Sequence, residues 1–147
     1  MLFFDTSALV KRYAEEPGTD IVDELLEKAD TPVLITSLTV IETTSAFRRK
    51  QNAGELSERR RDDLLVAFFR EATGSFTLIP VLDEGFQMAV ELVLQDDLRT
   101  LDALQLGTAL ALTDLGSDLR FVGADENLLE VAADRGLPTI NPTAEHA

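Results

Sequence analysis

Carboxylates are the main candidates for catalytic or metal-binding side chains in this chain, because it almost entirely lacks Cys and His, the residues that most often act as nucleophiles or soft metal ligands. The 147 residues contain no Cys and a single His, His146, next to the C-terminus. Thiol nucleophiles, Cys-rich zinc sites and disulfides are therefore excluded, and a Ser-His-Asp triad would have to use His146. Carboxylates bind hard cations such as Mg²⁺ and Mn²⁺, which activate water without Cys or His. The composition thus favours oxygen-ligated metal chemistry.

Four acids stand where such a site could form. Asp5 directly follows the first short apolar run of the chain, and Asp125 comes shortly after the fourth. Glu42 lies about one turn into a helical pattern, and Asp102 lies in the first turn of another. Ligands of open parallel sheets bind beyond the carboxyl ends of the strands, so we expect Asp5, Glu42 and Asp125 at that edge. The spacing leaves open whether Asp102 reaches it.

Each acid also has a purely structural explanation. Asp5 and Asp125 are suited to be helix N-caps. Glu42 and Asp102 face small or apolar residues at helical spacing, which is costly for a carboxylate without a compensating charge, and no Lys follows Lys50. A divalent cation would compensate; the alternative for Asp102 is a favourable interaction with its helix N-terminus. Four converging acids would repel one another, so the metal-free site should be destabilised and avid for divalent ions.

The fold follows from short apolar runs that alternate with longer segments whose apolar residues recur every three or four positions. The runs predict strands over residues 2–4, 33–36, 76–81, 119–122 and 139–140. The longer segments predict helices over residues 21–29, 38–52, 57–73, 84–94, 100–115 and 126–135. This alternation predicts a three-layer α/β/α fold with a parallel sheet of five strands. Because no linker or repeat divides the chain, we expect a single domain over residues 1–147.

Charge and hydropathy bear on the partners of this protein. The chain has 27 acidic and 13 basic residues and a formal charge of −14, which repels nucleic acid unless cations or local basic patches intervene. With neither a membrane span nor a signal-peptide pattern, we expect a cytoplasmic protein without a membrane partner.

Two basic clusters flank a turn at Gly54: Arg48, Arg49 and Lys50, and Arg59, Arg60 and Arg61. They are either nucleic-acid contacts or ordinary solvated helix ends.

The segments that carry the acids form a specific ordered set. They read Phe-Phe-Asp-Thr-Ser-Ala-Leu at the start, Glu-Thr-Thr-Ser at Glu42, Leu-Arg-Thr-Leu-Asp-Ala-Leu-Gln-Leu around Asp102, and Phe-Val-Gly-Ala-Asp-Glu-Asn-Leu around Asp125. From Phe3 to Pro142, this combination resembles the PIN-domain ribonucleases, and within them the VapC toxins of toxin-antitoxin modules. The order of the motifs is far more specific than any one of them.

This resemblance implies a PIN-like sheet with strand order 3-2-1-4-5 and an endoribonuclease that hydrolyses phosphodiester bonds of single-stranded RNA. The cofactor would be Mg²⁺, with Mn²⁺ as a substitute, and the partners would be a cognate antitoxin and a second copy in a homodimer. The family's acidic metal-binding positions match Asp5, Glu42, Asp102 and Asp125, with Asp5 and Asp102 as the expected direct ligands. The family's hydroxyl beside the first acid matches Thr6 or Ser7.

Two departures and three competing interpretations accompany the resemblance. Gln105 stands where many relatives have His, and Gly123 stands where a Thr or Ser often precedes the last acid. Neither removes a carboxylate, and the Gly123 change is expected to weaken metal or phosphate positioning. A phosphoaspartyl enzyme fits poorly, because a late Lys is missing and Ser7 occupies the place of a second Asp. A catalytically silent PIN module acting through protein contacts is the main alternative, although the acidic set is complete. The four carboxylates by themselves would also fit a DNA nuclease.

Overall fold

A parallel sheet lies at the centre of the protein, whose structure is a computed structural model that describes residues 1–144. His146 lies outside the described residues. The strand order is β3-β2-β1-β4-β5, and every neighbouring pair is parallel. The predicted order is therefore confirmed. The strands are β1 (Leu2–Phe4), β2 (Val33–Thr36), β3 (Thr77–Ile79), β4 (Arg120–Val122) and β5 (Thr139–Ile140).

Within residues 1–144, seven α-helices connect these strands: α1 (Thr6–Leu9), α2 (Thr19–Glu27), α3 (Ser37–Asn52), α4 (Glu58–Gly74), α5 (Asp83–Asp96), α6 (Thr100–Asp114) and α7 (Glu126–Asp134). The six helices predicted from periodicity agree with α2 to α7 to within about two residues. No bounds were predicted for α1, because a single turn is too short to show a helical period. None of the helices in residues 1–144 is long and apolar enough to cross a membrane.

Strand β3 is shorter than the predicted run over residues 76–81. The backbone N–H of Phe76 donates to the carbonyl of Glu71 at 2.9 Å and so belongs to the end of α4. After the strand, Pro80 has no N–H to donate to a ladder. The apolar run therefore extends over residues whose backbone cannot pair, and periodicity alone overestimates the strand.

Helices cover both faces of the sheet, because alternate side chains of the central strands point to opposite sides. On one side, Phe3 and Phe121 stack with ring centroids 5.6 Å apart and pack with Leu106 of α6. On the other side, Phe4 packs in a second core that includes Phe47 of α3. The predicted three-layer α/β/α architecture is thereby confirmed.

Helix α6 lies so close to α5 that a glycine is required at the contact. A β-carbon built on Gly107 would lie 2.7 Å from the carbonyl oxygen of Gly85 and 3.0 Å from the backbone nitrogen of Ala89. Both obstacles are backbone atoms, which cannot turn aside as a side chain could. Gly107 therefore sets the distance between the two helices, and α6 is the helix that carries Asp102 and Gln105.

We predict that Gly107→Ala destabilises the protein by about 1–3 kcal/mol, because the added methyl group forces the α5 and α6 backbones apart. Gly74→Ala is the control, since a β-carbon there meets nothing within 4 Å. Denaturant unfolding monitored by circular dichroism measures both. Equal midpoints for the two variants would show that the contact at Gly107 relaxes without cost.

Candidate active site

The four acids line one cleft of about 440 Å³ at the carboxyl ends of the strands. Asp5 immediately follows β1, Asp125 precedes α7 after β4, and Glu42 projects from α3, the helix after β2. Asp102, in the first turn of α6, lines the same cleft. The structure thus places all four predicted residues together, including the one whose position the spacing left open.

Asp5 is almost fully buried, with 4% of its surface exposed, and Ser7 holds it in place. The carboxylate oxygen Oδ2 accepts from the Ser7 backbone N–H at 3.2 Å and from the Ser7 hydroxyl at 2.6 Å. The hydroxyl oxygen of Ser7 in turn accepts from the backbone N–H of Ala124 at 2.9 Å. Ser7 therefore connects the end of β1 to the loop that carries Asp125.

The N-cap explanation holds for two of the acids. Asp5 caps α1 through the Ser7 N–H, and the Oδ1 atom of Asp125 accepts from the Leu128 N–H at 3.1 Å and caps α7. Each cap engages one carboxylate oxygen, and within residues 1–144 the other oxygen of each acid accepts no hydrogen bond from the protein. Capping orients these carboxylates toward the site and is compatible with a second role there.

Burial and mutual repulsion raise the pKa values of two acids. Burial raises the pKa of Asp5 to about 6, the hydrogen bonds from Ser7 oppose that rise, and the nearby charges of Glu42 and Asp102 add to it. The pKa of Asp102 is also raised, first by burial and then by the charges of Asp125 and Glu42, while Arg99 opposes the rise. The cleft is therefore short of positive charge.

Glu42 is held from the interior of the protein. Its Oε1 atom accepts from the Thr6 hydroxyl at 3.1 Å and from the Gln105 side-chain amide at 2.9 Å. Gln105 is fully buried. Sequence reasoning noted Gln105 only as a departure from relatives and did not foresee this contact, since a hydrogen bond between side chains 63 positions apart depends on tertiary packing.

Thr6 and Ser7, the two candidates for the hydroxyl beside the first acid, each donate to a carboxylate of the site, but to different ones. Ser7 bonds to Asp5, whereas Thr6 bonds to Glu42. At Gly123, a β-carbon would lie 3.3 Å from the Leu129 side chain and 3.7 Å from the β-carbon of Asp5. A side chain at position 123 would therefore begin in contact with Asp5, whose carboxylate already accepts from the Ser7 hydroxyl.

The two basic clusters differ in their relation to the cleft. Arg49 lines it and donates to the hydroxyl of Ser45 at 2.6 Å. Lys50 instead forms an ion pair with Glu16 at 3.2 Å, and Arg61 pairs with Asp62. Among residues 1–144, the lining of the cleft includes none of the other five: Arg48, Lys50, Arg59, Arg60 and Arg61.

Two exposed aliphatic residues also line the cleft and were not predicted. Ile41 is 69% exposed and Leu101 is 46% exposed. The exposure of Ile41 has a helical explanation. Its position on α3 does not share the four-residue spacing of Thr39, Thr43 and Phe47, which are the buried residues of that helix. Arg99, whose positive charge opposes the rise in the pKa of Asp102, was not predicted either, although it lies three positions before Asp102 in the sequence.

The carboxylates that line the cleft are hard oxygen donors, the kind of ligand that Mg²⁺ and Mn²⁺ prefer. Within residues 1–144, no three acidic or histidine side chains stand close enough together to form a ready-made metal cage. Mg²⁺ retains several waters and commonly takes only one or two protein carboxylates directly. Four carboxylates around a cleft of this size, two of them with raised pKa values, suit an ion held partly through water.

The sheet order and the acidic cleft at its carboxyl edge define a three-layer α/β/α protein whose polar site consists of carboxylates. The profile of the PIN domain matches residues 2–134. The chain belongs to the PIN domain family, and the resemblance seen in its motifs is confirmed.

Several solved structures share this fold at low sequence identity. A structure of FitAB bound to an IR36 DNA fragment has a TM-score of 0.73 at 16% identity, covering 100% of this chain and 99% of that one. The sarcin-ricin-loop-cleaving toxin VapC20 of Mycobacterium tuberculosis has a TM-score of 0.71 at 15% identity, covering 97% and 100%. A toxin-antitoxin complex from Klebsiella pneumoniae has a TM-score of 0.65 at 17% identity, covering 97% and 98%. No curated protein sequence matches the chain significantly.

The pKa of Asp5 predicts an unusual dependence of stability on pH in the metal-free protein. Between the ordinary value of 3.8 and the folded value of about 6, the folded state retains a proton that the unfolded state has released. The free energy of unfolding should therefore fall as pH rises through this window, by up to about 3 kcal/mol from this group. Asp5→Asn should remove this loss and be more stable than wild type at pH 7 in EDTA.

Urea denaturation in EDTA from pH 4 to 7 measures this difference, with Asp114→Asn as the control. Asp114 is an exposed acid of α6, so its replacement removes one negative charge without touching the cleft. If both variants shift stability equally at every pH, the effect comes from net charge and not from the burial of Asp5.

Proposed function

We propose that this protein is a Mg²⁺- or Mn²⁺-dependent endoribonuclease that hydrolyses phosphodiester bonds of single-stranded RNA and acts as the toxin of a toxin-antitoxin pair. The observation that carries the proposal is the convergence of Asp5, Glu42, Asp102 and Asp125 on one cleft of a PIN domain. Its volume of about 440 Å³ is in the range of pockets that bind small organic groups, and so suits a nucleotide unit.

A divalent cation bound in this cleft would supply an activated water and neutralise charge on the scissile phosphate. Asp5 and Asp102 would hold it directly, and Glu42 and Asp125 directly or through water. Ser7 orients the Asp5 carboxylate, which is mostly ionised at pH 7 because its pKa is about 6. A carboxylate oxygen without a protein donor can orient the attacking water and accept its proton.

Substrate binding would use the cation and the aliphatic side chains of the cleft. The exposed guanidinium of Arg49 can donate two parallel hydrogen bonds to a phosphate. Ile41 and Leu101 offer an uncharged surface for a ribose or a base. On a chain with a formal charge of −14, such local features have to offset the overall repulsion of RNA.

RNA as the substrate and toxicity as the role are supported by the family membership and by the nature of its structural neighbours. VapC20 is a toxin that cleaves the sarcin-ricin loop, and another neighbour is a toxin-antitoxin complex.

An antitoxin and a second copy of this chain are proposed as partners. Co-expression with the product of the adjacent gene should relieve growth arrest, and light scattering should give the mass of a dimer.

We predict cleavage of single-stranded RNA that requires Mg²⁺ or Mn²⁺ and stops in EDTA. Asp102→Asn should lower the rate at least about hundredfold, because it removes a metal-binding charge worth several kcal/mol. Asp114→Asn, an exposed acid on the same helix, should cleave normally. Mn²⁺ should also raise the melting temperature of wild type but not of Asp102→Asn.

Three outcomes of this experiment would contradict the proposal in different ways. If Mn²⁺ does not raise the melting temperature of wild type, the proposed metal site is wrong. Metal binding without cleavage would identify a catalytically silent PIN module. Faster cleavage of single-stranded DNA than of RNA with the same sequence would make the protein a DNA nuclease.

The basic clusters give a separate prediction. Arg49→Gln should raise KM for RNA and lower the slope of log KM against log salt by about 0.7, as expected for one lost phosphate contact on a single strand. Arg59→Gln is the control, because it removes the same charge from an exposed position outside the cleft lining. Equal effects of the two variants would mean that only net charge matters.

A further inference from the structure

The buried side-chain amide of Gln105 links α6 to β2 and α3. It lies on α6 one turn after Asp102 and is fully buried. Its Oε1 accepts from the Thr36 hydroxyl at 2.9 Å, and its Nε2 donates to the Thr39 hydroxyl at 2.8 Å and to Glu42 Oε1 at 2.9 Å. A buried amide has two donors and an acceptor to satisfy, and here each of them has a partner.

The orientation of this amide is determined by its neighbours. If the amide were rotated by 180°, its oxygen would face the Glu42 carboxylate oxygen at 2.9 Å, and two acceptors would oppose each other. The Thr36 hydroxyl can donate to Oε1 and so favours the arrangement that is present. Gln105 therefore presents an N–H group to Glu42, and Thr36 holds it there.

The same contacts determine how Glu42 faces the cleft. Its Oε1 is occupied from the interior by two donors, Gln105 and the Thr6 hydroxyl at 3.1 Å. Within residues 1–144, its Oε2 accepts no hydrogen bond from the protein. One oxygen thus anchors the carboxylate, and the other is left to the cleft that Glu42 lines.

We propose that Gln105 is a positioning residue, which holds Glu42 through its side-chain amide so that one carboxylate oxygen faces a divalent cation. The proposal rests on the proposed function, because it assigns Glu42 to a metal site. Partners that orient a metal ligand from behind typically change metal affinity by about 10–100-fold when they are removed. A role confined to filling the core would leave metal affinity unchanged.

Titration calorimetry with Mn²⁺ at pH 7.5, with RNA cleavage followed in parallel, tests the proposal. Gln105→Met retains a flexible side chain of similar length but cannot donate to Glu42. It should weaken Mn²⁺ binding by about tenfold or more. At Mn²⁺ concentrations that saturate each variant, it should lower kcat while KM for RNA stays constant. Gln105→His, whose imidazole can donate with one nitrogen and accept with the other, should restore affinity to within about threefold.

Leu106→Val is the control for loss of core packing. Leu106 is the buried neighbour of Gln105 on α6 but belongs to the hydrophobic core that includes Phe3. This variant should be less stable than wild type and should bind Mn²⁺ with unchanged affinity. If Gln105→Met binds Mn²⁺ as tightly as wild type, or if Leu106→Val loses affinity equally, the positioning role is wrong.

A second pair of variants keeps the test decisive if Gln105→Met does not fold. Thr36→Val removes the hydroxyl that holds the amide but leaves both Gln105 and Glu42, whereas Thr36→Ser keeps the hydroxyl. The Val variant should bind Mn²⁺ at least about threefold more weakly than the Ser variant, and equal affinity would refute the proposal. Wild-type protein that binds no Mn²⁺ at all would instead overturn the proposed function itself.

Discussion

The repulsion among carboxylates crowded at the carboxyl end of the central strands is the constraint on which the rest of this structure depends. Asp5 is buried at the end of β1, and its pKa of about 6 shows that its ionised form is poorly stabilised by the protein alone. Asp102 experiences the charges of Asp125 and Glu42 in addition to its own burial. Such an arrangement costs free energy of folding, and a bound cation is the simplest way to recover it.

The surrounding elements hold the acids in place without neutralising them. Ser7 bonds both to Asp5 at the end of β1 and to the backbone of the loop before Asp125. Thr6 and Gln105 anchor Glu42 with neutral donors. Neutral hydrogen-bond donors fix the geometry of a carboxylate while leaving its charge available to a cation, which a Lys or Arg in the same place would not do.

The overall acidity of the chain is a weaker argument against an anionic substrate than the composition of the cleft, where Arg49 lies beside four acids whose charge a bound cation would offset. A formal charge of −14 describes the whole surface, but the cleft lining contains Arg49 and the exposed side chains of Ile41 and Leu101. Most members of the two basic clusters lie elsewhere, and Lys50 and Arg61 are engaged with neighbouring acids. Local composition therefore says more about a substrate than net charge does.

From the sequence, apolar periodicity predicted the three layers and the ordered motifs indicated four candidate acids, because both are local properties of the chain. The strand order followed only from the resemblance to PIN-domain proteins and agrees with the structure. Periodicity overestimated β3, since hydropathy does not record that Phe76 and Pro80 cannot pair. Only the tertiary structure decided that Asp102 reaches the cleft, that Arg49 alone of its cluster lines it, and that Gln105 bonds to Glu42. These facts depend on how α3 and α6 pack against the sheet, and residues more than 60 positions apart carry no local signal of meeting.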